Sequence, residues 1–300
     1  MGENLDLKKF KPIHYTIAGA TSGALTRIIS QPLDVLKIRF QIRSAKIENA
    51  NSNSLIRTVK LIYVNEGLFA FWKGHVPAQA LSITFGSFMF TSYEILHSSR
   101  FLSEITVYPS ALDFVCGGLA GMFASTACQP FDVIRTRIVA QDQALKVKRI
   151  LLSSSASLYK ENGTKGFFRG LLPTLLAIFP YNGINFALYG SFKRAWLLFS
   201  IENKETNVSR LCCGALSGLG SKLILLPFDT VKKHLQVQGL NDYTNEYRGM
   251  FHCFKYLVKK KGFIILYSGT FPAVLKSVVV VATSFGFYEL ICDMLNYIDP

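Results

Sequence analysis

One motif occurs three times along the chain, at almost equal intervals. It reads PLDVLK from Pro32, PFDVIR from Pro130 and PFDTVK from Pro227, so the prolines lie 98 and then 97 residues apart. A pair of glycines four residues apart keeps the same phase and ends nine residues before each proline. Self-similarity at a fixed period indicates a chain built from repeated structural units. The expected repeats cover residues 1–106, 107–203 and 204–300.

Each repeat contains two long apolar stretches, and the composition indicates what surrounds them. Half of the residues are hydrophobic and 17% are charged, whereas a soluble domain usually carries about 25% charged residues. Each stretch can supply the ~20 residues of a membrane-spanning helix. Polar residues interrupt every stretch, as in helices that line a water-filled cavity. The sequence therefore predicts an all-α membrane protein with six long helices, near 13–42, 75–100, 110–141, 172–198, 208–238 and 271–297.

Two smaller features belong to this expected bundle. Between the long helices, apolar residues recur at helical spacing near 54–65, 149–161 and 249–260. These stretches predict short helices that lie along the membrane surface. The glycine pairs follow a small-xxx-small pattern, which lets two helix backbones approach closely in lipid. We therefore expect the glycine pairs to lie at helix–helix contacts.

The proline motif puts an acid and a base on one face of a helix that the proline bends. Proline removes a helical hydrogen bond, and the acid and the base follow two and five residues later. A spacing of three places both on one face, so three such helices can bring three acids and three bases together. Unpaired charges at membrane depth are costly, and the alternative of surface pairs within each helix contributes little. The predicted pairs are Asp34–Arg135, Asp132–Lys232 and Asp229–Lys37.

Basic residues recur upstream of this motif. Arg27 and Lys222 lie five residues before their prolines, about one and a half helical turns away, and Ser125 stands at this place in the second repeat. Lys276 lies in the last long stretch. Cations within a membrane helix indicate a functional site, and three of them suggest a phosphorylated or carboxylated substrate. The alternative is that these side chains extend to the lipid headgroups.

Other classes of protein fit less well. The net charge of +14 suits nucleic acid, anionic lipid or anionic solutes, but the basic residues are spread along the chain without a nucleic-acid-binding motif. The six cysteines include no CxxC, so we expect neither a metal site nor a resident cofactor. The histidines form no catalytic pattern, which argues against an enzyme such as a lipid-modifying one. An interaction protein without transport would not need all six motif charges.

The whole pattern resembles the mitochondrial carrier family. It reads Px[DE]xx[KR]x[KR] and then [DE]Gxxxx[YWF][KR]G, with departures, three times over about residues 12–298. The resemblance implies six transmembrane helices with pseudo-threefold symmetry in the inner mitochondrial membrane. It implies alternating access between a matrix gate and a cytoplasmic gate, and a monomer that binds lipid, chiefly cardiolipin. Its partner would be a phosphorylated small molecule and not a nucleic acid.

The resemblance also assigns residues to the two gates. The matrix gate would consist of the six predicted pairing residues, Asp34, Lys37, Asp132, Arg135, Asp229 and Lys232. A glutamine brace nine residues after the proline would be formed by Gln41 and Gln236, with Val139 in the second repeat. The cytoplasmic gate would consist of Glu94, His97, Lys193 and Glu289, in which Glu94 with Lys193 is the one full pair and Glu289 would face His97. We expect this weak gate to favour easy exchange or the state open to the matrix.

Two stretches, 71–86 and 171–190, resemble family members that carry thiamine pyrophosphate. A diphosphate needs clustered cations, which Arg27, Lys222 and Lys276 would supply. The residues expected to hold the ring of the substrate are Ala177, Ile178, Tyr181, Asn182 and Asn185, although Tyr181 suits packing at the membrane interface equally well. The expected function is exchange of thiamine pyrophosphate, as a substrate and not a cofactor, for nucleotides or similar phosphate esters. The alternatives are a carrier of adenine nucleotides or CoA, and a proton-leak carrier.

Overall fold

A computed structural model of the protein describes residues 12–43, 54–98, 109–141, 147–199, 207–240 and 247–298. Over these residues the chain is helical and contains no strand. The predicted repeat boundaries, at 106/107 and 203/204, lie outside the described residues. The long and short helices predicted from the sequence are confirmed, apart from one interruption in the third repeat.

The same order of elements occurs three times. The first set is α1 (Pro12–Arg43), α2 (Ser54–Glu66) and α3 (His75–His97). The second set is α4 (Pro109–Ala140), α5 (Val147–Asn162) and α6 (Leu171–Phe199). The third set is α7 (Asn207–Ile224), α8 (Leu226–Val237), α9 (Met250–Lys261) and α10 (Thr270–Ile298). A short 3-10 segment precedes α3, α6 and α10, at Leu68–Trp72, Gly163–Phe168 and Phe263–Tyr267.

The repeated proline affects the third set differently from the other two. Pro32 and Pro130 lie inside the continuous helices α1 and α4. In the third set the helix stops and restarts around Leu225, with Pro227 in the first turn of α8. Proline lacks the N–H that continues a helix, and the N–H of Leu225 still reaches the carbonyl of Ser221 at 3.1 Å. The expectation of one bent helix over 208–238 is therefore wrong at this point.

In each of the first two sets, a glutamine before the proline joins the proline-motif helix to the segment that leads into the second long helix of the same set. Gln31 donates to the carbonyl of Lys73 at 2.9 Å, and Gln129 donates to the carbonyl of Arg169 at 2.7 Å. Both carbonyls lie just after the 3-10 segments that lead into α3 and α6. The corresponding residue of the third set is Leu226, whose side chain offers no such donor.

The long helices pack mainly across the boundaries between sets. Helix α3 packs along α4, α6 packs along α7, and α10 packs along α1. The last long helix therefore lies beside the first, and the bundle closes on itself. Helices α1 and α3, which belong to one set, touch at far fewer places. This arrangement leaves space between the helices at the centre of the bundle.

Within the described residues, two parts of the chain are long and apolar enough to cross a membrane, judged by length and composition. They lie within Leu152–Leu198 and Phe263–Met294, and their most apolar windows are 6% and 28% buried. Side chains such as Phe186 and Leu290 are exposed there. Contiguous exposed apolar surface is unfavourable in water and is typical of surfaces that contact lipid or a partner.

A glycine with positive φ allows each set to approach the next. The three glycines and their φ values are Gly74 at +74°, Gly170 at +76° and Gly269 at +86°. This region of backbone conformation favours glycine. A Cβ on Gly170 would lie 3.1 Å from the carbonyl oxygen of Lys232, and one on Gly269 would lie 3.0 Å from Cγ of Gln41. A side chain at these places would therefore push the proline-motif helix of the next set away.

The predicted role of the glycine pairs is wrong for most of their members. None of the described residues comes within 4 Å of a Cβ built on Gly19, Gly23, Gly117, Gly214 or Gly218. Close packing occurs instead one or two residues away, where a Cβ on Gly118 would clash with the ring of Phe179 and one on Gly220 would lie 2.8 Å from Leu188. The helices are rotated so that Gly117 and Gly121 face a central cavity.

The short helices pack against the ends of the proline-motif helices. Val35, Ile38 and Ile42 of α1 form one buried cluster with Ile62 of α2. A corresponding cluster joins α8 to α9 and includes Val231, Leu235, Cys253 and Leu257. Burial of these apolar side chains fixes the ends that carry the motif charges.

Candidate functional site: a central cavity beside a salt-bridge network

Three ion pairs join the proline-motif helices α1, α4 and α8. The N–O distances are 2.5 Å for Arg135–Asp34, 2.8 Å for Lys232–Asp132 and 2.5 Å for Lys37–Asp229. All three predicted pairs are thus present, and each one links two different sets of helices. We call these six residues the salt-bridge network. Its role as a gate stays a prediction.

The three pairs differ in exposure. The side chains of Asp34 and Arg135 are 6% and 9% exposed. The side chain of Asp229 is 31% exposed and that of Lys37 is 12% exposed. Water screens an exposed pair more strongly than a buried one. The Lys37–Asp229 pair is therefore the one that an incoming polar ligand can replace most readily.

The two predicted brace glutamines contact the acids of the salt-bridge network. Gln236 donates to Asp132 at 2.7 Å, and Gln41 donates to Asp229 at 3.2 Å. In the second set Val139 occupies this position, where a Cβ on Gly74 would lie 3.1 Å from its side chain. Two acids thus receive an amide hydrogen bond in addition to their basic partner.

Two further lysines join the salt-bridge network. Lys276, which the sequence assigned to the substrate, pairs with Asp34 Oδ1. Lys233 Nζ lies 3.1 Å from Asp132 Oδ1 and donates to Thr136 at 3.0 Å. Lys233 was not predicted to belong to the network, and the only sign of it in the sequence is the second lysine of PFDTVKK. Each added cation offsets the charge of an acid that is removed from water.

A second charge cluster lies outside the network and was not predicted as a site. Glu66 at the end of α2 accepts hydrogen bonds from Lys73 and from Arg39, whose Nη2 lies 2.8 Å from Glu66 Oε2. Burial raises the pKa of Glu66, but the hydrogen bonds and charges of Arg39 and Lys73 outweigh it, so this pKa is lowered. In the second set, Asn162 accepts from Arg169 at 2.7 Å. The sign of this cluster in the sequence is the motif [DE]Gxxxx[YWF][KR]G, which begins at Glu66 and includes Lys73.

A cavity of about 390 Å³ adjoins the salt-bridge network at the centre of the bundle. Its charged lining residues are Lys37, Lys222, Asp229 and Lys232. Its other polar lining residues are Ser125, Thr174, Tyr181 and Asn182, and its larger apolar ones are Phe85, Met89, Ile178, Leu225 and Phe228. Cavities of several hundred Å³ with a mainly apolar lining and a few polar groups suit small molecules. The three lysines in its lining make this cavity suited to an anion that also carries an apolar ring.

The cavity contains some of the predicted substrate-binding residues and not others. Those in its lining are Lys222, Ala177, Ile178, Tyr181 and Asn182. Arg27, Lys276 and Asn185 are not among the described lining residues. Arg27 Nη2 instead donates to the carbonyl of Ala78 at 2.9 Å. Lys222 lies at the cavity and donates to Ser277 at 3.3 Å.

At the other predicted gate, His97 contacts an acid that was not predicted as its partner. Among the described residues, no ion pair joins Glu94 to Lys193 or His97 to Glu289. His97 Nε2 lies 3.4 Å from Asp113 Oδ1, and Tyr93 donates to the same oxygen at 3.1 Å. The structure shows the state in which the ion pairs at the proline-motif end are formed; the expected preference for easy exchange or for a state open to the matrix stays a prediction. The ion pairs of a gate stabilise only the state in which that gate is closed. A gate with few pairs therefore stabilises its closed state weakly.

Comparison with known proteins agrees with this architecture. The family model described as mitochondrial carrier protein matches residues 8–102, 107–199 and 203–298. The chain therefore belongs to the mitochondrial carrier family, and it is a solute transporter of a mitochondrial membrane rather than an enzyme.

The chain is similar to several proteins that are named as carriers of thiamine pyrophosphate or thiamine diphosphate. The mitochondrial thiamine pyrophosphate carrier of Homo sapiens is 36% identical over 295 residues, which cover 93% of this chain and 91% of that protein. The protein of the same name from Macaca fascicularis is 36% identical over 299 residues, with 95% and 92% covered. The mitochondrial thiamine diphosphate carrier 1 of Zea mays is 33% identical over 319 residues, with 94% of each chain covered.

Proposed function

We propose that this protein carries thiamine pyrophosphate into the mitochondrial matrix in exchange for a nucleotide or a similar phosphate ester. The central cavity carries this proposal, because it combines three lysines with an apolar wall. The lysines suit the diphosphate, and Ile178 and Tyr181 suit the flat rings of the ligand. The names of the relatives in the family support the same substrate.

The proposed membrane arrangement follows the three sets of helices. Six transmembrane segments, α1, α3, α4, α6, α7–α8 and α10, would be related by pseudo-threefold symmetry and cross the inner membrane. The equivalent glycines that precede α3, α6 and α10 support this symmetry. The bundle closes on itself and so suits a monomer. The net charge of +14 favours anionic lipid such as cardiolipin.

The proposed transport cycle alternates between two gates. The salt-bridge network would be the matrix gate, and Glu94, His97, Lys193 and Glu289 would contribute to the cytoplasmic gate. A ligand opens a gate only if it binds the open or intermediate state more tightly than the closed one. Lys276 and Arg27 would bind phosphate only after they leave Asp34 and the carbonyl of Ala78. Lys222 lies at the cavity already, so we assign the first phosphate contact to it.

The experiment is uptake of labelled thiamine pyrophosphate into liposomes that contain the purified protein. The vesicles would hold ADP, unlabelled thiamine pyrophosphate or neither anion. We expect uptake that needs an internal anion and that falls strongly in Lys222→Ala. The matched control is Lys60→Ala, which removes an exposed lysine of α2 and should leave uptake unchanged.

Each alternative has its own outcome in these vesicles. Rapid exchange of ADP or CoA without thiamine pyrophosphate uptake would mean that the transported substrate is an adenine nucleotide or CoA. Dissipation of a proton gradient without exchange would indicate a proton-leak carrier. Uptake by Lys222→Ala at the wild-type level would contradict the assignment of the cavity as the substrate-binding site.

A further inference from the structure

The cavity contains a carboxylate as well as cations. Among its described lining residues, Asp229 is the one acidic side chain. Its partner Lys37, at 2.5 Å, lines the same cavity. A molecule in the cavity can therefore reach both members of one ion pair. By contrast, Asp34 and Asp132 are not among the described lining residues.

Opening this pair is costly unless both charges receive a new partner. A charge that is left unpaired away from water is strongly unfavourable. An anion that took Lys37 from Asp229 would leave the carboxylate unpaired and place a second negative charge next to it. A ligand with one cationic and one anionic group avoids this cost, because each group replaces one member of the pair.

We infer that Asp229 binds the positively charged ring of the transported ligand while Lys37, Lys222 and Lys232 bind its diphosphate. The inference rests on the proposed function, since thiamine pyrophosphate carries a permanently cationic thiazolium ring two carbons away from its diphosphate. Phe228 precedes Asp229 and also lines the cavity. Its aromatic face is a suitable neighbour for a cationic ring.

Gln41 gives Asp229 a second partner during the exchange. Its Nε2 lies 3.2 Å from Asp229 Oδ2, the oxygen that also contacts Lys37. When Lys37 turns to the diphosphate, this amide keeps the carboxylate hydrogen-bonded at the cavity wall. Asp229 is thus a specificity-determining residue: it favours a ligand with a fixed positive charge over a nucleotide, which has none.

The experiment compares two ligands on the full-length protein purified in detergent. One is thiamine pyrophosphate, and the other is an analogue in which a neutral ring of the same shape replaces the thiazolium. Affinity is measured by calorimetry and by the rise in unfolding temperature that each ligand causes. We expect the wild-type protein to bind the cationic ligand about tenfold more tightly than the neutral one. The ratio of the two affinities on one variant cancels any general weakening of the salt-bridge network.

Three variants test the assignment. Asp229→Asn should bind both ligands equally, and Asp229→Glu should recover much of the preference because it keeps the charge. The matched control is Asp132→Asn, which removes a carboxylate of the salt-bridge network that is not among the cavity-lining residues and should keep the wild-type ratio. Unfolding curves without ligand establish that each variant is folded.

The outcomes separate this inference from the proposed function. A wild-type protein that does not bind thiamine pyrophosphate overturns the proposed function. A wild-type protein that binds both ligands equally, or an Asp229→Asn variant that keeps the preference, overturns the role of Asp229 and leaves the function in place. A loss of preference in Asp132→Asn as well would assign discrimination to the whole network, which also contradicts the inference.

Discussion

Lys276 of the last helix pairs with Asp34 of the first, so one charged contact joins the two ends of the helical sequence. Asp34 is thereby shared between Lys276 and Arg135. Both partners come from helices outside the set to which Asp34 belongs. The acid is 6% exposed, so little water compensates its charge.

Removal of Lys276 should weaken this closure. A hydrogen bond to a buried charged group contributes about 1–3 kcal/mol. We therefore expect Lys276→Ala to lower the unfolding temperature of the purified protein by several degrees, and Lys276→Arg to lower it less. Thermal unfolding in detergent measures both changes. An unchanged unfolding temperature in Lys276→Ala would mean that Arg135 alone satisfies Asp34.

Lys232 and Lys233 should substitute for each other at Asp132. Each Nζ lies near one oxygen of this carboxylate, at 2.8 and 3.1 Å. We expect Lys232→Gln and Lys233→Gln to be mild, and the double variant to lose more stability than the sum of the two, since neighbouring substitutions are not additive. The free energies of unfolding from a double-mutant cycle measure this. Simple additivity would contradict the shared role.

Gly170 should tolerate a side chain less well than Gly262, although both have a φ of +76°. Alanine is strained at this φ in either place. A Cβ on Gly170 would also lie 3.1 Å from the carbonyl oxygen of Lys232, whereas none of the described residues comes within 4 Å of one on Gly262. We expect Gly170→Ala to cost roughly 1–3 kcal/mol more than Gly262→Ala because it overpacks the junction. Equal unfolding temperatures for the two variants would contradict this contact.

The Glu66 cluster should stabilise the protein only above acidic pH. The pKa of Glu66 is lowered from an ordinary value of 4.5, so the folded state favours the ionised form. Its contribution is present above pH 4.5 and is lost as the pH falls through the lowered value. We expect wild type to exceed Glu66→Gln in unfolding temperature at pH 7, with the difference shrinking below pH 4.5. A difference that does not change with pH would indicate packing rather than charge.

The sequence predicted the charge pairs better than the packing. The fixed offset from proline determines which helix face carries Asp34, and only a few partners can neutralise it there, so the motif predicts Arg135. The spacing of Gly117 and Gly121 also defines a face. The spacing does not determine how that face is oriented relative to the neighbouring helices. In the structure, this face lines the cavity and not a helix–helix contact.

Two other differences depend on distances that a sequence does not contain. Lys276 was expected at the substrate, but its long side chain can reach either the cavity or Asp34, and the choice depends on how closely α10 packs along α1. The break at Leu225 depends on contacts around the proline, where Leu226 replaces the glutamine of the other two sets. Repeat patterns describe what the sets share, so they miss such local departures.

Because α10 packs along α1, the packing of the three sets does not depend on which set comes first along the chain. The start of α10 lies against the end of α1, through Gly269 and Gln41, so the two packed helices run in opposite directions. The beginning of α1 and the end of α10 therefore lie at the same end of the bundle. A circularly permuted gene that starts at α4 and joins α10 to α1 with a short flexible linker should encode a chain with the same three ion pairs and the same cavity.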